Sequence, residues 1–446
     1  MSYMTPYYFT GSAGMSMSIW MQSNDFIPKV GLTYSGSTTL LAQGLLNAWK
    51  YDSTYSCAAI HYGLPSSSIY KVECSSSGST DTGSFKLYIS QGATSSIYLG
   101  FYFGPSLLVY NTASQLIFAP SWAQSFPGDP EYTYDVKMNI INPLTNTVVS
   151  SSYTESNARM ILDVIYNSID NNMYIITTSG SNYIAISSTG TSSMFMDVWN
   201  SNGSVLLSSH SINLDFGGYG YQGVASAFNP DRNEILLSPF NFTNVLPLSY
   251  SIYDCNINST VYSGSKTNQG RSVTYVSSSQ QYYIAPFAVV GPADKVNASS
   301  YAITPSTISS SNTTLTYIEE LDVIVGSGDA YNNSGSMYIH NATTEEIIAV
   351  VSGSLSVTIP YIYDRCKECI VAGDYFAGGT LTGGGLEYVR SGSWIPANFV
   401  RSNRPNSITY CDATSTIWVG TGEFNVNKVI AIISSAPTAS FPQPPL

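Results

Sequence analysis

Three imidazoles are available to this chain, His61, His210 and His340, in separate stretches and with no other His close by in sequence. A histidine metal cluster or a catalytic imidazole with its partners finds no support in that spacing. No G-x-S-x-G elbow, P-loop, helix-opening G-x-G-x-x-G or EF-hand loop is present. The acidic run Asp129, Glu131 and Asp135 offers the oxygens that Ca²⁺ would need, but reads as a solvated loop. The chain is therefore expected to be non-enzymatic, with no cofactor and no metal.

The six cysteines point to structure. In the segment from Ser56 to Cys74 a turn centred between Pro65 and Ser66 sets Cys57 opposite Cys74, so a cross-strand disulfide is expected there. Cys366 and Cys369 flank a tight turn, close enough for a second bridge. Cys255 and Cys411 have no evident partner.

Two further sets of side chains face outward chemistry. N-x-S/T sequons occur at Asn202, Asn241, Asn258, Asn297, Asn312, Asn332 and Asn341, mostly on expected turns, where an oligosaccharide fits outside a sheet. Tyr102, Tyr219, Tyr221 and Trp394 sit in Gly- or Ser-rich stretches read as loops, and their ring faces could stack on sugars.

The elements that position these groups are strands. Charged residues make up only 10% of the 446 residues, so solubility must come from hydroxyls and amides, a composition suited to a virion or extracellular surface. Aromatic residues reach 13% and argue for a folded core. A net charge of −12 without any basic run leaves nothing to track phosphates, so no nucleic acid is expected as partner. No stretch approaches the ~18 apolar residues of a membrane span, so no membrane insertion is expected either. The N-terminus carries no readable export signal.

One pattern recurs eight times: a β-branched or aromatic run ending in Tyr or Phe, a short polar turn, then a second strand ending in Gly, Ala or Pro. Its aromatic anchors are Tyr51, Tyr110, Tyr166, Phe228, Tyr275, Tyr317, Tyr363 and Tyr410, spaced 42 to 62 residues apart. A second hairpin lies between anchors, as in the stretches from Tyr134, Met194 and Ser336, so each unit has four strands. The three longest intervals precede Phe228 and suggest a ring elaborated on one side for contacts. Such sheets pack face to face and close into a ring. The expectation is an all-β fold: a β-propeller of about eight four-stranded blades, seven or nine being alternatives, closed by pairing of N- and C-terminal strands. One propeller domain would span residues 1–434, with a Pro-rich extended tail at 435–446.

The repeat resembles that of YVTN-type propellers, while the Gly-His and Trp-Asp pairs of WD40 repeats are absent. The fragment Ser79, Asp81, Gly83 and Phe85 resembles the Asp-box of sialidase-type propellers. Sialidases also need an arginine triad, which the spacing of Arg159, Arg232, Arg271, Arg365, Arg390, Arg401 and Arg404 does not single out. The hydroxyl- and amide-rich style with many sequons resembles surface glycoproteins of crenarchaea and of the viruses that infect them. That likeness implies a virion structural or surface protein, a spike, tail or capsid-decorating propeller that contacts other virion or surface-layer proteins and attaches to a host. A secreted or cell-surface glycan-binding propeller is the alternative, and a propeller glycoside hydrolase the third reading.

Overall fold

The computed structural model describes residues 5–13, 15–23, 25–44, 56–76, 83–91, 95–98, 107–124, 134–151, 159–179, 194–212, 222–241, 249–267, 270–286, 292–308, 314–327, 336–352, 361–365, 369–374, 385–390, 393–396, 405–423, 426–433 and 439–441. Among them there is no α-helix, only a 3₁₀ turn at Glu319–Leu321.

Strands β1 (Thr5–Gly11), β2 (Ser16–Ser23), β3 (Pro28–Tyr34), β4 (Leu40–Gly44), β5 (Ser56–Gly63), β6 (Ser68–Ser76) and β7 (Phe85–Gln91) form two antiparallel sheets. One is ordered β1-β6-β3-β4 and the other has β7-β2-β5. Their alternating apolar side chains, Ile19, Met21, Leu87, Val30, Leu32, Tyr70 and Val72 among them, are buried together in one core. Strand β8 (Ser95–Tyr98) follows.

The next strands come in fours. Sheet 1 is β9 (Val109–Asn111), β10 (Leu116–Gln124), β11 (Tyr134–Asn142) and β12 (Thr147–Ser151). Sheet 2 is β13 (Arg159–Asn167), β14 (Asn172–Ser179), β15 (Met194–Trp199) and β16 (Leu206–Ile212). Sheet 3 is β17 (Gln222–Asn229), β18 (Glu234–Asn241), β19 (Ser249–Asp254) and β20 (Ser259–Ser265). Sheet 4 is β21 (Gly270–Val276), β22 (Gln281–Pro286), β23 (Asp294–Asn297) and β24 (Ile303–Pro305). Sheet 5 is β25 (Thr314–Ile318), β26 (Val323–Ser327), β27 (Ser336–Asn341) and β28 (Ile347–Ser352). Sheet 6 is β29 (Tyr361–Asp364), β30 (Cys369–Asp374), β31 (Gly385–Arg390) and β32 (Ser393–Pro396).

Sheet 7 is β33 (Pro405–Cys411), β34 (Thr416–Glu423) and β35 (Val426–Ile433), and its fourth strand is β8, paired antiparallel to β35 with Val429 opposite Ile97. The tail strand β36 (Ala439–Phe441) returns to the N-terminal unit as the edge partner of β7.

First strands meet first strands: β9 touches β13, β13 touches β17, and so on through β21, β25, β29 and β33, which touches β9 again. Between sheets the packing is apolar, with Ile165, Tyr174, Ile176 and Met196 of sheet 2 against Val224, Ile235, Leu237 and Tyr253 of sheet 3. These clusters follow from the alternation of each strand: one four-stranded sheet is apolar on both faces and needs a neighbour on each.

Strands β1 to β7, with β36, pair among themselves, apart from the strands of sheets 1 to 7. The first of the eight expected copies is not a unit of the series, because β5 pairs with β2 and the stretch before it lies outside the described residues. The long first interval is therefore no elaboration of the ring. The N-terminal segments expected to complete a last blade, β1, β2 and β3, pair instead with β6, with β5 and β7, and with β4 and β6, while β35 pairs with β8. The other seven anchors, Tyr110, Tyr166, Phe228, Tyr275, Tyr317, Tyr363 and Tyr410, all lie on first strands within two residues of their ends.

The disulfide between Cys57 and Cys74 is not formed. Strands β5 and β6 are joined by a short turn but belong to different sheets, so the segment arches across the core instead of folding back as a hairpin. Cys57 stands opposite Gln22, and Cys74 opposite Thr5 and Val30. Cys74, Cys255 and Cys411 are buried free thiols, and burial pushes those of Cys74 and Cys255 up to about 12. Cys366 lies outside the described residues.

Candidate interaction faces

In a meander of four strands the first-to-second and third-to-fourth turns leave from one end, and the other connections from the opposite end. One face of the seven-sheet series is thus made of short turns. Six of the seven first turns start at the aromatic anchor and close five residues later on a left-handed residue, Gln115, Asn171, Asn233, Gln280, Asp322 and Ser415, and that of sheet 6 lies outside the described residues. Side-chain amides replace the missing backbone partners, as when Asn111 Oδ1 accepts from the N–H groups of Ala113 and Ser114, and Asn167 Oδ1 from those of Ile169 and Asp170.

These turns are chained to one another. Thr112 donates to the Tyr166 hydroxyl at 3.1 Å, joining sheets 1 and 2. Asn167 Nδ2 donates to Asn233 Oδ1 at 2.7 Å, joining 2 and 3. Tyr275 donates to Asp231 at 2.6 Å and Ser278 to Asp322 at 2.5 Å, joining 3 to 4 and 4 to 5. Arg365 of sheet 6 reaches Glu320 on one side at 2.5 Å and Asp412 on the other. Between sheets 7 and 1 the Tyr110 phenol meets the Cys411 thiol and the backbone of Ala413; burial, then Cys411, pushes it up to about 12. Every neighbouring pair of sheets has one such link, and together they make a girdle.

Deeper, hydroxyls and carboxylates join sheets where an apolar contact would leave backbone groups unpaired. Ser272 Oγ of β21 accepts from the Leu315 N–H of β25 and is 3.0 Å from its carbonyl, and Thr274 Oγ1 accepts from Tyr317 N–H. Glu345, at a left-handed position in sheet 5, takes Lys295 at 2.6 Å, Ser306 at 2.7 Å and the Thr307 N–H at 2.6 Å from sheet 4 and the segment after it. Burial works against its charge, yet Lys295 and these donors hold it down to about 2.

Lys266 is the reverse case: its ammonium donates to Ser238 Oγ and the Pro239 carbonyl, both at 2.6 Å, and burial pulls it down to about 7 against the pull of Asp294.

Asp163 of β13 accepts from Ser226 Oγ of β17 at 2.5 Å and from the Val164 N–H at 2.9 Å. It is buried, and burial outweighs these donors to push its carboxyl up to about 7. Because the unfolded chain loses this proton near the ordinary value of 3.8 and the folded one only near 7, the cost of the buried charge is absent at pH 3, grows between these values and is complete at pH 8. Asp163→Asn is expected to leave stability at pH 3 nearly unchanged and to raise it at pH 8 by on the order of 2–4 kcal/mol. Denaturant titrations at both pH values check this, and an equal effect at both would refute the buried-charge account.

The residues singled out in the sequence are not brought into one site. His61, His210 and His340 lie in the N-terminal unit, sheet 2 and sheet 5. His340 Nδ1 is 3.1 Å from the Glu345 carbonyl, and burial lowers its pKa. Arg232 is bound by Glu234 and Tyr301, and Arg365 by Glu320 and Asp412. Of the Asp-box-like fragment only Gly83 onward is described, where Ser84 donates to Asp25 through N–H and hydroxyl. Tyr102, Tyr219 and Tyr221, with Asp129 and Glu131, lie outside the described residues. Trp394 is in outer strand β32 opposite Val389, not in a loop.

Among the described residues no group of three or more His, Cys, Asp or Glu is placed to hold a metal ion. No helix among them is long and apolar enough to cross a membrane.

What the sequence reasoning missed is the outer rim. Among the described residues each fourth strand pairs on one side only, and four of them carry exposed apolar side chains: Val148 and Val149 on β12, Leu206 and Leu207 (53% exposed) on β16, Val261 on β20, and Ile347 (52%), Ile348 and Val350 on β28. The signal was present as adjacent apolar pairs in three of these strands, Val148 with Val149, Leu206 with Leu207 and Ile347 with Ile348.

No protein-family model matches the chain. No curated protein matches it either. Among solved structures, 849 chains match, a breadth that marks a widely used architecture. One is a chain from the crystal structure of the mitotic checkpoint complex, with 11% sequence identity and a TM-score of 0.52, covering 77% of this chain and 92% of that one. At that identity the likeness shows the fold alone, and together with the series of four-stranded antiparallel sheets it makes the fold of this chain a β-propeller.

Proposed function

We propose that sheets 1 to 7 are the blades of a seven-bladed propeller closed by β8 on β35, and that the propeller is a non-enzymatic structural protein of a virion or cell-surface layer, serving protein–protein assembly and host attachment. The observation that carries the assembly role is the rim: unpaired strand edges bearing exposed valine, leucine and isoleucine on four blades. Such edges invite pairing or apolar contact with another chain, and proteins that stay alone usually blunt them with charge or proline.

The girdle supports the structural half of the reading. Its acids and amides are engaged with neighbouring blades, which gives a stiff ring from a chain with few charges. The face opposite the girdle is the one toward which second strands end and third strands begin, and we assign host contact to it.

Immunogold labelling of intact cells and of particles from the source, together with mass spectrometry of the purified particles, tests the assignment. Label on the exterior at a copy number comparable to known shell components is expected. Confinement to the cell interior would overturn it. Hydrolysis of an oligosaccharide by the purified protein would move the chain to the hydrolase class.

A further inference from the structure

We infer that Asn202, Asn258, Asn297 and Asn341 carry N-linked oligosaccharides, which decorate the girdle face over four consecutive blades. The four sequons fall at the same place each time, the junction of third and fourth strands of sheets 2, 3, 4 and 5, with Asn202 and Asn258 in the turn and Asn297 and Asn341 at the end of the third strand that enters it. These turns leave from the same end as the girdle turns, so the four sites share one face and one sector of the rim.

The local geometry suits attachment. Asn297 Oδ1 accepts from the N–H groups of Ser299 and Ser300 and from the Ser300 hydroxyl. Asn341 Oδ1 accepts from those of Thr343 and Thr344. Asn202 Oδ1 accepts from both the N–H and the hydroxyl of Ser204, the third residue of its own sequon. Asn258 is left-handed, with Oδ1 facing the Tyr253 hydroxyl. In each case the carbonyl oxygen serves the turn, and the amide nitrogen is not needed to hold it.

Substitution on nitrogen therefore leaves the turn intact. At Asn202 the neighbouring Gly203 lets the turn press onto sheet 1: it has φ +68°, and a Cβ there would stand 2.6 Å from Ile140 and 2.7 Å from Phe118. The turn is anchored on one side and exposed at Asn202 on the other.

The remaining sequons are placed differently. Asn241 ends second strand β18, at the opposite end of its sheet, and Asn312 and Asn332 lie outside the described residues.

The chemistry is a glycosyl transfer without change of oxidation state. The amide nitrogen forms a bond to the anomeric carbon of an oligosaccharide carried on a polyprenyl phosphate or diphosphate. The carbon–oxygen bond to phosphate breaks, the lipid phosphate leaves as the anion, and the amide gives up one proton to the transferase. The inference rests on the surface location proposed above, since the chain must meet a lipid-linked donor and its transferase.

Glycopeptide mass spectrometry of the protein isolated from its source tests it directly. An oligosaccharide mass on the peptides containing Asn202, Asn258, Asn297 and Asn341 is the expected result. Unmodified peptides at all four, or sugar confined to Asn241, Asn312 and Asn332, would overturn the inference. Ser204→Ala, Thr260→Ala, Ser299→Ala and Thr343→Ala, made in the native host, should each remove one glycan mass while leaving the asparagine in its turn. No loss of mass would overturn it equally. The parallel labelling experiment separates the two readings: bare peptides on an exterior protein refute the glycans alone, and an interior protein refutes the location.

Discussion

A chain beginning at residue 99 should lose on the order of 4 kcal/mol of stability in its ring, whereas one beginning at residue 92 should keep a ring as stable as that of the full chain. The difference between them is β8, whose four residues Ser95 to Tyr98 pair with Ala431 to Lys428 of β35. Each backbone hydrogen bond of such a pairing contributes about 1 kcal/mol net, and losing them also bares the edge of β35. Both truncations remove the N-terminal sheets and leave β36 without β7, so that loss is common to the two. Urea unfolding followed by tryptophan fluorescence reads the comparison. Equal midpoints for the two chains would show that β8 does not close the ring.

Trp418→Ala is expected to cost about 3–5 kcal/mol, among the largest effects of any single replacement in this protein. Trp418 of β34 is wholly buried and packs with Cys411 against Leu108, Tyr110, Ile117, Ala119 and Ile141 of sheet 1. Its indole therefore fills the joint between the last sheet of the chain and the first. Deleting it leaves a cavity between sheets 7 and 1, which the chain joins only through β8, itself held to the rest of sheet 7 by its pairing with β35. Trp418→Phe should recover more than half of the loss. A cost below 1 kcal/mol for the alanine variant, by the same urea titration, would mean that the joint collapses onto the gap and contributes little to closure.

The parts of this fold that could be read in the sequence are the local ones. The seven anchors from Tyr110 to Tyr410 were visible because an aromatic at the end of a first strand, followed by a polar turn, repeats within about twenty residues of chain. The hairpins from Tyr134, Met194 and Ser336 were visible for the same reason, and they are β11 with β12, β15 with β16, and β27 with β28. The left-handed position five residues after six of these anchors was not, since Gln115, Gln280 and Ser415 are not residue types that favour that conformation.

Long-range pairing was hidden altogether. Thr5 opposite Cys74 and Phe441 opposite Phe85 leave no periodic trace, because the partners share no turn. Cys57 and Cys74 misled for a related reason: Pro65 and Ser66 mark a turn, but nothing in them says whether the strands they join will pair or will part into facing sheets. Among candidate site residues, the sequons could be found as motifs, while their common place on the third turn needed the blade register. The links of the girdle, such as Asn167 to Asn233, join residues of unrelated turns and could only be found in three dimensions.

The order of pairing around β8 has a consequence during synthesis. Strand β8 is made before sheets 1 to 6, yet its partner β35 follows more than three hundred residues later. At the usual pace of about 5–20 residues per second, β8 waits for roughly 15 to 65 seconds after leaving the ribosome. The edge of β7 that β36 will cover waits slightly longer. Through that interval the nascent chain holds two open strands, one short and rich in serine, while six sheets accumulate behind them. Strands β35 and β36 then fasten both, so a ribosome that stops short of them releases a molecule with sheets 1 to 6 and neither of its clasps.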